Sequence, residues 1–260
     1  MRARSSIALL HLGVITALPM ALAAHAAQAG LPDVVEGVKP SIVAVGTFQK
    51  TRSPPFVFRG TGFAVGDTLI ATVAHAVSQP AQGESPETMM VLVSVPGARE
   101  PQAREAKPVA VDRVHDVALL RIGGAPLPAL TLGNSSEVRD GTAIAFTGFP
   151  FANAFGFHPV THRGIVSSQP PIAVPSSSAK QLESRVIRGV NTGAFVLLQL
   201  DAIAYAGQSG SPVYDADTGK VIGLISMTLK GSKDAAVGLA TGISFAVPVQ
   251  YLVDLTRGLR

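Results

Sequence analysis

The chain has 260 residues, 47% hydrophobic and 15% charged, with no cysteine. Such a composition supports a sizeable core and excludes a disordered tail, while the missing cysteines exclude disulfides, thiol catalysis and cysteine-ligated metals. The formal net charge is +4, but Arg2 and Arg4 fall in a segment expected to be removed, leaving 19 basic against 17 acidic residues and no basic stripe, which excludes a nucleic-acid signature.

In chain order, residues 1–29 read as a secretory signal peptide. Arg2 and Arg4 give a positive start, residues 7–24 an apolar stretch, and "AHAAQAG" offers small-x-small cleavage after Ala26 or Ala29. His11 and Pro19 interrupt the stretch, which argues against a retained anchor, and no second apolar run is long enough to span a membrane. The expectation is a periplasmic or secreted protein with no stable membrane span after cleavage.

Residues 32–40, "PDVVEGVKP", predict a short helix, started by Pro32 and stopped by Pro40. From there the pattern changes. Short runs rich in β-branched and aliphatic residues, from "SIVAVGTF" through "DVALLRI" and "TAIAFTGF" to "KVIGLISMT" and "GISFAVP", are separated by Gly, Pro, Ser or Asp. Roughly ten short strands without helices between them argue an all-β barrel or sandwich. "VQYLVDLTRGL" places Tyr251, Leu252, Leu255 and Leu259 at helical spacing and predicts a closing helix. "GGAPLPALTLG", 123–133, reads as the link between two β halves, giving units of 30–125 and 126–260. "SQPAQGESPET", 78–88, and "SSQPPIAVPSSSAKQLES", 167–184, read as loops, the second long enough to suggest a function.

"GQSGSP", 207–212, holds two serines in a tight turn. A serine hydroxyl is a poor nucleophile without an adjacent base, so the hexamer gains meaning only from a histidine and a buried carboxylate elsewhere. His75, in "IATVAHAV", ends an apolar strand and precedes a loop. Asp116 heads the apolar strand of "HDVALLRI", where a buried charge needs a partner. His115 points to the other face of that strand. His158 and His162, in "GFHPVTHRG", read as solvated loop residues; no carboxylate is near them and "PVT" makes a helix unfavourable, so no metal site is assigned. The order His75, Asp116, Ser209 differs from the Ser…Asp…His order of α/β-hydrolases.

Together these stretches resemble the trypsin-like serine proteases, and within them the bacterial HtrA/Deg-type branch. The segments carrying the resemblance are "LPDVVEGVKPSIVAV", "GTGFAVGDTLIATVAHAV", "HDVALLRI", "TGFPFANAFGFHPVTHRGIVSS", "LDAIAYAGQSGSP", and the strands "VIGLISMT" and "GISFAVP". The resemblance implies two six-stranded antiparallel β-barrels with a short C-terminal helix. It implies a peptide-bond-hydrolysing triad of Ser209 as nucleophile, His75 as base and Asp116 as orienter. It also implies an oxyanion hole from the Gly207 and Ser209 N–H groups, and leaves Ser211 a supporting role in the loop. Neither cofactor nor metal is implied, and the substrates would be polypeptides. By the same resemblance Ile203, Ala204, Met227 and Gly242 lie near the primary pocket; none is charged, which suggests small or medium apolar residues before the cut. Three departures stand out. Gln208 replaces the usual Asn, "GSP" is nearer to glutamyl endopeptidases, and the chain stops at Arg260, leaving no room for a PDZ domain. A glutamyl-specific protease and a non-catalytic binding or chaperone module are the rival readings.

Overall fold

A computed structural model of the protein describes residues 30–77, 87–95, 97–98, 100–171, 196–230 and 240–259, without the side chains of 227–230, 240 and 241. The expected signal peptide, most of loop 78–88 and residues 172–184 of the long loop lie outside the described residues.

The N-terminal helix spans Leu31–Val38, with Pro in its first turn, and a single 3-10 turn, Lys39–Ser41, follows it. Asp33 reaches back to the Gly30 N–H at 3.1 Å, satisfying a donor the helix itself cannot. Twelve strands are found among the described residues: β1 Ile42–Phe48, β2 Phe56–Gly66, β3 Leu69–Thr72, β4 Thr88–Val93, β5 Gln102–Asp112, β6 Val117–Ile122, β7 Ala143–Gly148, β8 Val160–Ser168, β9 Leu198–Asp201, β10 Pro212–Asp215, β11 Val221–Lys230 and β12 Ala240–Pro248. They close into two antiparallel barrels, ordered β1-β2-β3-β6-β5-β4 and β10-β11-β12-β9-β8-β7. The all-β, two-barrel architecture expected from the sequence is therefore the observed one.

Strand burial explains the composition. β1 is buried on both faces over Ile42–Thr47. Val43 and Val45 point into their own barrel with Ile70, Val91 and Leu120, while Ile42 and Ala44 join a second core shared with Ala145, Tyr214 and Leu224 of the other barrel. Alternation sends successive side chains to opposite faces, so a strand wedged between a barrel interior and a neighbouring barrel must be apolar throughout. The second barrel has its own interior of Ile144, Phe146, Leu198, Leu200 and Val213. The closing helix, Val249–Arg257, buries Val249 and Leu252 in the shared core beside Val38. Leu259, counted with the helical stripe in the sequence, lies beyond the helix end and is 37% exposed, because the helix stops at Gly258.

Two local readings are corrected. β8 begins at Val160, so His162 is not a solvated loop residue: it pairs across to Phe146, and the two rings stack 5.3 Å apart at 17°. In addition, a one-turn helix at Ala152–Phe155, unforeseen in the sequence, follows Phe151 in a left-handed conformation.

Candidate active site

β3 runs out at Thr72, and a single 3-10 turn, Ala74–Ala76, presents His75. Ala74 and Ala76 are buried on either side, so the turn is anchored while the His75 side chain stays 47% exposed. Asp112 pairs with Val117 across β5 and β6, which makes 113–116 the connecting turn. Asp116 closes that turn with φ 57°, a left-handed conformation that Asp tolerates better than most residues. Its side chain is buried and accepts from three donors: the His75 backbone N–H at 3.0 Å, the His75 ring Nδ1 at 2.8 Å, and Ser226 Oγ at 2.7 Å. A carboxylate only accepts, so this contact fixes the proton on Nδ1 and leaves the Nε2 lone pair outward.

The loop 205–211 is held from both barrels. Thr61 of β2 donates its N–H to Ser209 O at 2.8 Å and its hydroxyl to Gly207 O at 2.9 Å. Gly210 donates to Ile225 O of β11 at 2.7 Å. Gly207 and Gly210 have φ of 98° and 88°, and a Cβ would stand 2.4 Å from Phe149 O at the first and 2.0 Å from Thr61 O at the second. Only glycine meets both demands, of backbone angle and of space. Gln208 is wholly buried and folds back on its own turn: its N–H donates to Tyr205 O at 3.0 Å, and its Oε1 accepts the Tyr205 N–H at 2.8 Å. Within this loop, the N–H groups of Gly207 and Ser209 have no acceptor among the described residues.

The structure brings His75 and Asp116 into direct contact. No hydrogen bond joins Ser209 Oγ to His75 among the described residues. The two segments nevertheless converge, since a Cβ placed on Gly60 would lie 2.7 Å from Ser209 O and 3.6 Å from Ala76 Cβ. A hydrogen bond between a nucleophile and its base is commonly loose before substrate binds.

Of the four expected pocket residues, Ile203 is 37% exposed, whereas Ala204 is buried with its N–H on Ser244 Oγ at 2.9 Å. Gly242 accepts the Ala202 N–H at 3.1 Å, bringing 202–204 beside β12. Met227 pairs with Phe245, and its side chain lies outside the described residues. Tyr205, at the start of the loop, also lines an open cavity of about 240 Å³, together with Phe151, Phe155, His158 and His162 among others. Burial lowers the pKa of His162, favouring the neutral ring. Sequence reading missed Ser226, Thr61 and Ser244. For Ser226 a signal existed: one hydroxyl in the apolar run "VIGLIS" needs a partner when buried.

Two closed antiparallel barrels with a His–Asp pair and a glycine-framed serine loop at their junction define a chymotrypsin-like fold. The chain belongs to the family of the trypsin-like peptidase domain, whose family model matches residues 60–224. It is 34% identical over 235 residues to the mitochondrial serine protease HTRA2 of Bos taurus, covering 88% of this chain and 43% of that protein. It is 31% identical over 203 residues to a probable periplasmic serine endoprotease, DegP-like, of Halomonas elongata, covering 77% of this chain and 35% of the relative. The chain thus spans less than half the length of these relatives. A solved HtrA-type protease with a tripeptide shares the fold, with a TM-score of 0.63 at 23% identity over 89% of this chain and 64% of that one.

Proposed function

We propose that the chain is a serine endopeptidase in which Ser209, His75 and Asp116 act together. Ser209 Oγ attacks the scissile carbonyl and passes its proton to His75 Nε2. The imidazolium is stabilised by Asp116 through Nδ1–H, and the proton then goes to the leaving amine. Water repeats the sequence to release the acyl group from Ser209. The N–H groups of Gly207 and Ser209 take the oxyanion, each such donor contributing about 3–4 kcal/mol in the transition state. The observation that carries this reading is the buried Asp116 carboxylate held 2.8 Å from His75 Nδ1. It leaves Nε2 as the base, and the unpaired N–H groups of the serine loop add support.

Each barrel forms one unit of the enzyme, 30–125 and 126–260, with the site where they meet. The pocket residues Ile203, Ala204, Met227 and Gly242 are uncharged, which supports small or medium apolar residues before the cut; a peptide library cleaved mainly after Arg, Lys or Glu would overturn that preference. The N-terminal sequence pattern and the printed description of the Halomonas relative as periplasmic support export, to be checked by sequencing the mature N-terminus. A fluorophosphonate probe tests the mechanism itself. Wild type is expected to label and Ser209→Ala to remain unlabelled; a non-catalytic module would leave both unlabelled.

A further inference from the structure

The turn that delivers Asp116 is braced by groups outside the proposed triad. Asp112 Oδ1 accepts the N–H groups of Val114 and His115 at 2.9 and 3.1 Å. Its Oδ2 lies 2.5 Å from His115 Nδ1. Burial alone would raise the Asp112 pKa, but the hydrogen bonds and charge of His115 outweigh it and hold the carboxyl below 3.8, so it is ionised in the working range. The His115 ring lies flat on Tyr251 of the closing helix, with centroids 3.9 Å apart and planes at 13°. The Tyr251 hydroxyl is hydrogen-bonded by the Val196 backbone, and its ring packs against a core of Val117, Leu197, Phe245 and Val247. Val117 directly follows Asp116 and opens β6.

This bracing answers a physical need. A left-handed residue other than glycine costs roughly 1–2 kcal/mol, and Asp116 carries that conformation while its carboxylate must meet both His75 and Ser226. The turn preceding it is exposed at Arg113 and Val114 and holds no glycine. Without a tie, the backbone would relax toward ordinary angles and swing the carboxylate away.

We infer that Asp112, His115 and Tyr251 form a buttress that positions Asp116, with His115 as its central member. This rests on the proposed role of Asp116. His115 acts through the turn and does not touch the reacting atoms: it joins the strand end at Asp112 to the closing helix at Tyr251, so the angle of Asp116 depends on a helix more than 130 residues later in the chain.

The test uses two variants of the full protein. His115→Phe keeps a ring over Tyr251 but loses the bond to Asp112; His115→Ala loses both. Arg257→Ala, which removes an exposed ion pair on the same helix, is the control. kcat is taken per active site, counted by the fluorophosphonate burst, so loss of folded protein does not enter. Displacement by a fraction of an ångström is expected to lower kcat about tenfold, with KM within about twofold and the control unchanged. The low-field proton resonance of the His75–Asp116 hydrogen bond is expected to shift or disappear in both His115 variants. Where His115→Ala does not accumulate as folded protein, Asp112→Asn, which weakens the pair with His115 while keeping an acceptor for the two N–H groups, carries the same comparison. An unchanged low-field proton with kcat within about twofold of wild type overturns the buttress. If wild type neither labels nor cleaves, it is the proposed function that fails, and the proton resonance still decides the buttress on its own.

Discussion

Ser226 Oγ donates a 2.7 Å hydrogen bond to Asp116 Oδ2, the same oxygen that meets His75 Nδ1 at 2.8 Å. The two residues come from different barrels, Asp116 just before β6 and Ser226 within β11. The bond therefore both satisfies a buried carboxylate and fixes the barrels relative to one another at the candidate site. A hydrogen bond to a charged group contributes about 1.5–3 kcal/mol. Ser226→Ala is expected to lower kcat on a peptide substrate about tenfold and to lower Tm, while Ser226→Thr, which keeps the hydroxyl, retains most of both. Steady-state kinetics beside a thermal melt will check the pair; an Ala variant as active as wild type would show that Asp116 keeps its place without Ser226.

Gln208 fixes the serine loop through a carbonyl oxygen, not a charge. Its Oε1 takes the Tyr205 N–H at 2.8 Å, and the side chain is wholly buried. Met has similar length but no such acceptor, and Asn is one methylene too short to follow the same path. Both substitutions are expected to lower kcat by about a hundredfold, in the range seen when one oxyanion donor is lost, with KM little changed. Probe-labelling rates on Gln208→Met and Gln208→Asn measure this directly. Unaltered rates would show that Thr61 and Ile225 suffice to shape the loop.

The barrels were legible in the sequence because their signal is local. β-branched runs and the turn residues between them fall within a few positions of each other, and β1 reads as continuously apolar for the same reason that it is buried on both faces. The strings that nominate His75, Asp116 and Ser209 as candidates, taken together and in order, were legible as well. The long-range ties that hold them were not. Ser226 reaches Asp116 across 110 positions, and Thr61 reaches Gly207 across 146. A serine or threonine in an apolar strand announces that it needs a partner, yet not which one. His162 failed for a related reason. Its neighbours in "HPVTHRG" are polar, but its environment is set by Phe146 on the facing strand, so sequence neighbours misstate its burial. The left-handed angle of Asp116 was equally hidden, because it follows from closing β5 onto β6 in four residues and not from its own identity.

Ser211 ends the loop with its hydroxyl buried and unpartnered among the described residues. A Cβ on Gly148 would stand 2.0 Å from that hydroxyl, so the group is packed closely against β7. A buried hydroxyl with no bond costs about 1–3 kcal/mol relative to a shape-matched apolar group. Ser211→Ala is accordingly expected to raise the unfolding free energy by about 1 kcal/mol or more, with kcat near wild type if the nucleophile is Ser209, as proposed. Urea denaturation of the variant tests the sign, and a lower midpoint would mean that the hydroxyl has a partner worth more than its burial costs.

His162 supplies a pH dependence of stability. Burial lowers its pKa from 6.5 in the folded protein, so the unfolded chain takes up a proton at a higher pH than the native one. Stability rises with pH wherever the unfolded state binds more protons. The native advantage is therefore complete above 6.5 and declines as pH falls from there toward the lower folded value. His162→Phe keeps a ring to stack on Phe146, now 5.3 Å away, and removes the proton. The drop in Tm between about pH 7.5 and about pH 5.5 is expected to be smaller in this variant than in wild type, the remainder coming from other titrating groups common to both. Melting curves across that range decide it: parallel losses in the two proteins would mean that His162 is protonated in the fold as readily as in the unfolded chain, and that its place over Phe146 does not exclude the charge.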